Sequence, residues 1–138
     1  MTSSYVDPTA NVSPDARVGE GTSIWNWTKV RESAEIGAGV SIGQNCYIDN
    51  GVVIGERCKI QNGVNIYSGA TIGNEVFIGP SVTFTNDLHP NATGEWTVTP
   101  TVIADGASIG ANATIVCGVV IGEGALVGAG SVVIDDVP

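Results

Sequence analysis

The amino-acid sequence predicts an all-β fold, a parallel β-helix shaped as a triangular prism with 18 residues per coil, formed by residues 1–138 as one domain with an extended loop at about 85–102. Three features of the chain predict it. A step of six from Val6 meets Val12, Val18, Ile24, Val30, Ile36, Ile42, Ile48, Ile54, Ile60, Ile66, Ile72, Ile78 and Phe84. After a gap the step resumes one residue out of phase with Ile103, Ile109, Ile115, Ile121, Val127 and Val133. Two residues before these positions the side chain is small or modest, as at Ala10, Ala34, Cys46, Cys58, Ala70, Ala107 and Ala125. Glycine accounts for 19 of 138 residues, about twice the usual ~7%, and it often directly follows the bulky position, as at Gly37, Gly55, Gly73 and Gly110.

A period of six fits neither an amphipathic helix nor plain strand alternation. It fits a short strand of about four residues followed by a tight turn, so that each hexad makes one wall and three hexads close a coil. The bulky residue of each hexad then points into the prism, the small residue fits the narrower interior near a corner, and glycine lets backbones approach closely. The glycine density alone excludes a helical bundle, at a cost of ~1 kcal/mol per interior position. Cys46 and Cys58 fall on small inward positions, whereas Cys117 falls at a turn and is expected nearer the surface. Trp25 and Trp27 are expected on one strand, facing opposite sides, one of them outward as an interface anchor or a stacking surface.

Fourteen acidic against five basic residues give a net charge of −9. Nucleic acid and anionic membrane are therefore excluded as partners, because no positive patch is available to bind them. The start of the chain reads as neither a signal peptide nor an anchor, and no apolar run reaches the ~20 residues a bilayer requires. Three cysteines without CxxC spacing suggest reduced thiols in a cytoplasm. A single histidine cannot supply a multi-histidine zinc site, so no metal is expected.

The lattice fails between Phe84 and Ile103. Loops longer than ~12–15 residues are uncommon in compact proteins and tend to be functional. This one holds the chain's single histidine, His89, together with Asn86, Asp87, Glu95 and Trp96. His89 is the candidate general base because imidazole titrates near neutrality; substrate contact and bystander remain alternatives for it. Asp87 has the charge to hold a cationic amine, and Trp96 could stack on a ring. Residues 18 apart share a prism corner, so Asn26, Gln44 and Asn62 form one polar file, while Asn50 and Ser68 form another that runs toward Asn86.

The runs Ile36-Gly37, Ile42-Gly43, Ile54-Gly55, Ile72-Gly73, Ile78-Gly79, Ile109-Gly110 and Ile121-Gly122 resemble the hexapeptide-repeat acyltransferases, whose parallel β-helix is left-handed. The hand comes from this resemblance, since parallel crossovers are otherwise right-handed. The segments Phe84–Pro90 and Gly106–Gly118, with Ile24-Trp25 and Ile60-Gln-Asn62, resemble the subgroup of N-acetyltransferases that act on nucleotide-linked amino sugars. That likeness implies acetyl-CoA as co-substrate and a UDP- or dTDP-linked amino sugar, destined for bacterial surface polysaccharide, as acceptor. It further implies a homotrimer with active sites between neighbouring prisms. Carried onto this chain, it implies His89, Asp87 and Asn86 as catalytic candidates. Gln44, Asn62, Tyr67 and Trp96 are candidate substrate contacts, and Gly110, Ala111, Gly128 and Ala129 candidate coenzyme contacts. No Lys or Arg follows Lys59, an unexpected feature in a protein that binds polyanions. The competing reading is a non-catalytic trimeric scaffold or binding module.

Overall fold

The computed structural model describes residues 3–138. Twenty short strands run from β1 (Tyr5–Val6) to β20 (Val132–Val133), with no helix among the described residues. All pairings between strands are parallel and join each strand to the third one after it: β1 to β4 (Ser23–Ile24), then to β7 (Ser41–Ile42), and so on. Three walls result, with seven, seven and six strands. The first wall runs from β1 to β19 (Leu126–Val127), the second from β2 (Asn11–Val12) to β20, and the third from β3 (Arg17–Val18) to β18 (Val120–Ile121). This is the expected left-handed parallel β-helix of about seven coils.

The inner lining is the six-residue lattice. From Ile24 to Val133 every lattice residue is buried, and Ile24, Ile42, Ile48, Ile66, Ile78 and Phe84 have no exposed surface at all. Register stacks like on like, with Ile60 paired to Ile42 below and Ile78 above. Val6, Val12 and Val18 depart from the expectation, being exposed or half-buried. They form the first coil, so no coil beneath covers them.

Most strands have two residues, not about four. The turns take the remainder of each hexad, and from Gly21 onward the corners of the prism turn from one wall to the next through a left-handed residue. Arg57 and Glu75, for example, have φ of 56° and 55°. Both stand three places after a lattice residue, a conformation that is strained for a residue with a Cβ.

Glycine after the lattice residue is a requirement of packing. A Cβ on Gly37 would lie 2.8 Å from the Gly55 carbonyl carbon and 2.9 Å from the Glu56 nitrogen. Gly37→Ala is therefore expected to destabilise by about 1–3 kcal/mol, because the obstacle is backbone and cannot rotate away; denaturant unfolding would measure it. The small inward positions also carry a repeated hydrogen bond. Thr22 and Thr28 donate their hydroxyls to the carbonyls of Gly37 and Gly43 at 2.7 and 2.6 Å. Cys46 and Cys58 place their thiols likewise on Gln61 and Gly73, at 3.0 and 3.1 Å.

The loop leaves the prism after β14 (Thr83–Phe84) and returns at β15 (Thr101–Ile103). Thr101 and Val102, expected in the loop, instead belong to the third wall, paired with Ala70 and Thr71. The base of the loop is fastened to its neighbours. Thr99 N–H donates to Asn86 O at 3.0 Å, Cys117 N–H to Thr85 Oγ1 at 3.0 Å, and Gly118 N–H to Pro100 O at 3.0 Å. Cys117 is consequently buried, contrary to its expected place near the surface. Trp25 and Trp27 follow β4 and are not on a strand, and both are exposed, at 42% and 65%.

Candidate active site

The loop stands on the corner between the second and third walls, where a file of residues one coil apart rises through Arg31, Asp49 and Tyr67 to Thr85. Two hollows open beside it. One, of about 240 Å³, is lined by Tyr67, Thr85, Asn86, Asp87 and Pro90. The other, of about 280 Å³, takes in Asp87, His89, Glu95 and Trp96. Asp87 is common to both and stands between a mainly apolar hollow and a more polar one. Its Oδ1 accepts the backbone N–H of His89 at 3.1 Å, which holds the turn that presents both residues.

The structure thus gathers Asn86, Asp87, His89, Tyr67 and Trp96 around one loop. Gln44 and Asn62 lie elsewhere, on the corner between the first and second walls. There Asn62 Oδ1 accepts the Gln44 backbone N–H at 3.0 Å, so the Asn62 side chain caps the turn one coil below it. Gly110, Ala111, Gly128 and Ala129 stand on that same corner, in the last coils. At Ala111 the residue one coil further is Ala129, which has no side-chain acceptor, and among the described residues nothing accepts the Ala111 N–H.

A charged cluster beneath the loop was not among the sequence candidates. Arg31 Nη1 donates to Tyr47 Oη at 2.8 Å, and its Nε and Nη2 hold Glu32. Tyr47 Oη donates to Asp49 Oδ1 at 3.2 Å, while Asp49 Oδ2 accepts Ser68 N–H at 2.9 Å. A step of 18 from Arg31 through Asp49 and Tyr67 to Thr85 is the sequence signal that would have found it. Burial pushes the Asp49 carboxyl up, but hydrogen bonds from the Ser68 and Asn50 amides and the Tyr47 hydroxyl outweigh it and hold the pKa below the usual range. A depressed folded-state pKa gives stability that is complete above the ordinary aspartate value of ~3.9 and is lost as pH falls through the folded value. Asp49→Asn is therefore expected to melt below the wild type at pH 7, with the gap closing below about pH 4; thermal melts across pH would measure it.

Burial raises the thiols of Cys46 and Cys58 above the usual range, so neither is poised as a nucleophile. All three cysteines are free and buried. Among the described residues, no group of three or more His, Cys, Asp or Glu is placed to hold a metal ion, and no helix is long and apolar enough to cross a membrane.

The family pattern described as bacterial transferase hexapeptide (six repeats) matches residues 15–50, 33–66, 51–86 and 100–135. The chain belongs to the bacterial hexapeptide transferase family. The stretch the family pattern passes over, 87–99, is the loop. Among solved structures, this hexapeptide transferase is similar to the acetyltransferase domain of PglB from Neisseria gonorrhoeae, at 24% identity and TM-score 0.77, over 91% of this chain and 54% of that one. It is also similar to a hexapeptide-repeat acetyltransferase from Vibrio cholerae complexed with acetyl-coenzyme A, at 33% identity and TM-score 0.59, over 72% and 62% of the two chains. A third similar structure is perosamine N-acetyltransferase from Caulobacter crescentus in complex with CoA and GDP-perosamine, at 19% identity and TM-score 0.52, over 91% and 50%. The chain thus spans about half the length of the first and third of these. No curated protein matches it in sequence.

Proposed function

We propose that this hexapeptide transferase is an acetyl-CoA-dependent N-acetyltransferase that acylates the amino group of a nucleotide-linked sugar. The observation that carries the reading is the loop at 85–100, which sets Asn86 and Asp87 beside Tyr67 and His89 in the adjoining hollow that shares Asp87, where the repeat lets go. The acetyl-coenzyme A, CoA and GDP-perosamine bound by two of the similar proteins support that chemistry. Acetyl-CoA would supply the activated acyl group.

The remaining work falls to the chain's own residues. A sugar amine is a cation at neutral pH and must lose a proton to become a nucleophile. Asp87 attracts and orients the ammonium, Asn86 fixes a neighbouring hydroxyl, and His89 takes the proton, since imidazole both accepts and releases one near neutrality. Orientation is the larger contribution, at ~7–11 kcal/mol of barrier, against the ~10²–10⁴-fold that a base supplies. The exposed backbone of the last coils, with the Ala111 amide lacking an acceptor, fits the pantetheine arm of the coenzyme, and the small side chains at Gly110, Gly128 and Ala129 leave that approach open. Gln44 and Asn62, on the same corner but in lower coils, would meet the acceptor from a neighbouring copy in a homotrimer. Cytoplasmic location, a UDP- or dTDP-linked acceptor and a role in surface polysaccharide belong to this reading.

Release of free thiol from acetyl-CoA in the presence of a panel of nucleotide amino sugars tests the proposal. Turnover with at least one sugar is expected, and His89→Ala should lower kcat by tenfold or more without shifting the melting temperature. Absence of both turnover and coenzyme binding would favour the scaffold reading.

A further inference from the structure

Tyr67 is the one wall of the 240 Å³ hollow that comes from the prism itself below the loop; Thr85, Asn86, Asp87 and Pro90 all lie at or beyond the point where the chain departs. Tyr67 is 37% exposed, and its ring rests against a single aromatic neighbour, Tyr47, with centroids 5.6 Å apart and planes tilted by 51°. An exposed ring has two soft torsions, and only its contacts hold it in one orientation. What holds Tyr47 therefore also sets Tyr67.

Tyr47 is held tightly. Its hydroxyl accepts from Arg31 Nη1 at 2.8 Å and donates to Asp49 Oδ1 at 3.2 Å. Arg31 is itself oriented, with its Nε forked onto both Glu32 oxygens at 3.1 Å and its Nη1 3.7 Å from Asp49. Asp49 has a second grip on the same wall: its Oδ2 accepts the N–H of Ser68, the residue after Tyr67, at 2.9 Å, and the Ser68 hydroxyl donates to Asn50 O at 2.8 Å. Both the ring and the backbone of the Tyr67 turn are thus anchored one coil below the hollow. The Arg31 guanidinium is matched by two carboxylates, so the cluster has no surplus positive charge with which to bind a phosphate.

We propose that Arg31 and Asp49 are positioning residues that act through Tyr47 to hold the Tyr67 ring as the fixed wall against which the pyranose ring of the acceptor lies, placing its amine toward Asp87. This rests on the acetyltransferase reading for the identity of the occupant, but the placement of the ring does not.

The cleanest variant is Tyr47→Phe, which removes one oxygen and leaves the aromatic contact. Crystal structures of the ligand-free wild type and of this variant should show the Tyr67 ring ordered in the first and rotated or spread over several orientations in the second. An unmoved, ordered ring in the variant would overturn the positioning role, whatever the protein acylates. In the thiol-release assay, Tyr47→Phe and Arg31→Met should each raise KM for the amino sugar about three- to tenfold and leave KM for acetyl-CoA unchanged, with Arg31→Lys restoring part of the loss. In a Tyr67→Ala background, Tyr47→Phe should have no further effect. Equal additive losses in both backgrounds, or a parallel rise in both KM values, would show a general structural role and sink the proposal. A wild type that releases no thiol with any sugar would remove the acceptor reading, leaving the crystallographic comparison to decide the ring.

Discussion

Replacing Ile60 with aspartate is expected to leave no folded prism. Ile60 is 1% exposed and stacks between Ile42 and Ile78 in the middle of the first wall. Removing the aliphatic side chain from a filled interior costs about 2–5 kcal/mol. Burying a carboxylate with no partner adds several more, whether it stays ionised or takes up a proton. The sum is comparable to the whole ~5–15 kcal/mol stability of a typical domain. Circular dichroism and soluble yield would show the loss. Lys59→Asp, on the outward side of the same strand, serves as the control and should change stability by less than about 0.5 kcal/mol. A soluble Ile60→Asp protein with wild-type spectra would show that the lattice residue does not face inward.

Asp87→Asn is expected to abolish most catalysis while leaving the fold alone. Asparagine keeps an oxygen to accept the His89 N–H, the one hydrogen bond the Asp87 side chain makes, so the turn persists. The negative charge that would attract and orient an ammonium is lost. A fall of about 10²–10⁴ in kcat/KM for the amino sugar follows if the carboxylate and His89 act together on the amine. The melting temperature should be unchanged, since residues 86–98 lie outside the strand ladders. Activity near that of the wild type would remove Asp87 from the site; a large drop in melting temperature would show that the loop is part of the core.

The prism could be read from the sequence because its determinant is one-dimensional. A wall every six residues requires a bulky side chain every six residues, and Ile24 through Ile121 supply it without reference to any distant contact. What the hexad does not encode went unread. Cys117 is buried because the returning loop covers it and Thr85 takes its amide hydrogen, a contact across 32 residues. Arg57 and Glu75 adopt left-handed backbone although neither residue type prefers it, because the register of the strands on either side forces the turn. Val6 and Val12 keep the pattern but not the burial, since position in the stack decides whether a coil has two neighbours or one. Asn86 and Asp87 stood out at the break in the lattice. The Arg31, Tyr47 and Asp49 cluster did not, because Arg31 reaches the other two only across one coil, 16 and 18 residues on, and Arg31 and Asp49 look like ordinary surface charges when read locally.

The most direct test of the account is to remove the break. In the coil below, three residues, 67–69, join Ile66 to Ala70, the partner of Thr101, so residues 85–100 can be replaced by a three-residue turn that lets β14 run into β15 as one more regular hexad. Thiol release from acetyl-CoA with a nucleotide amino sugar would then be compared between the full and shortened chains. The account predicts that both chains fold with the same melting behaviour and that only the full chain turns over. Equal turnover by the two chains, or a shortened chain that cannot fold, would contradict it.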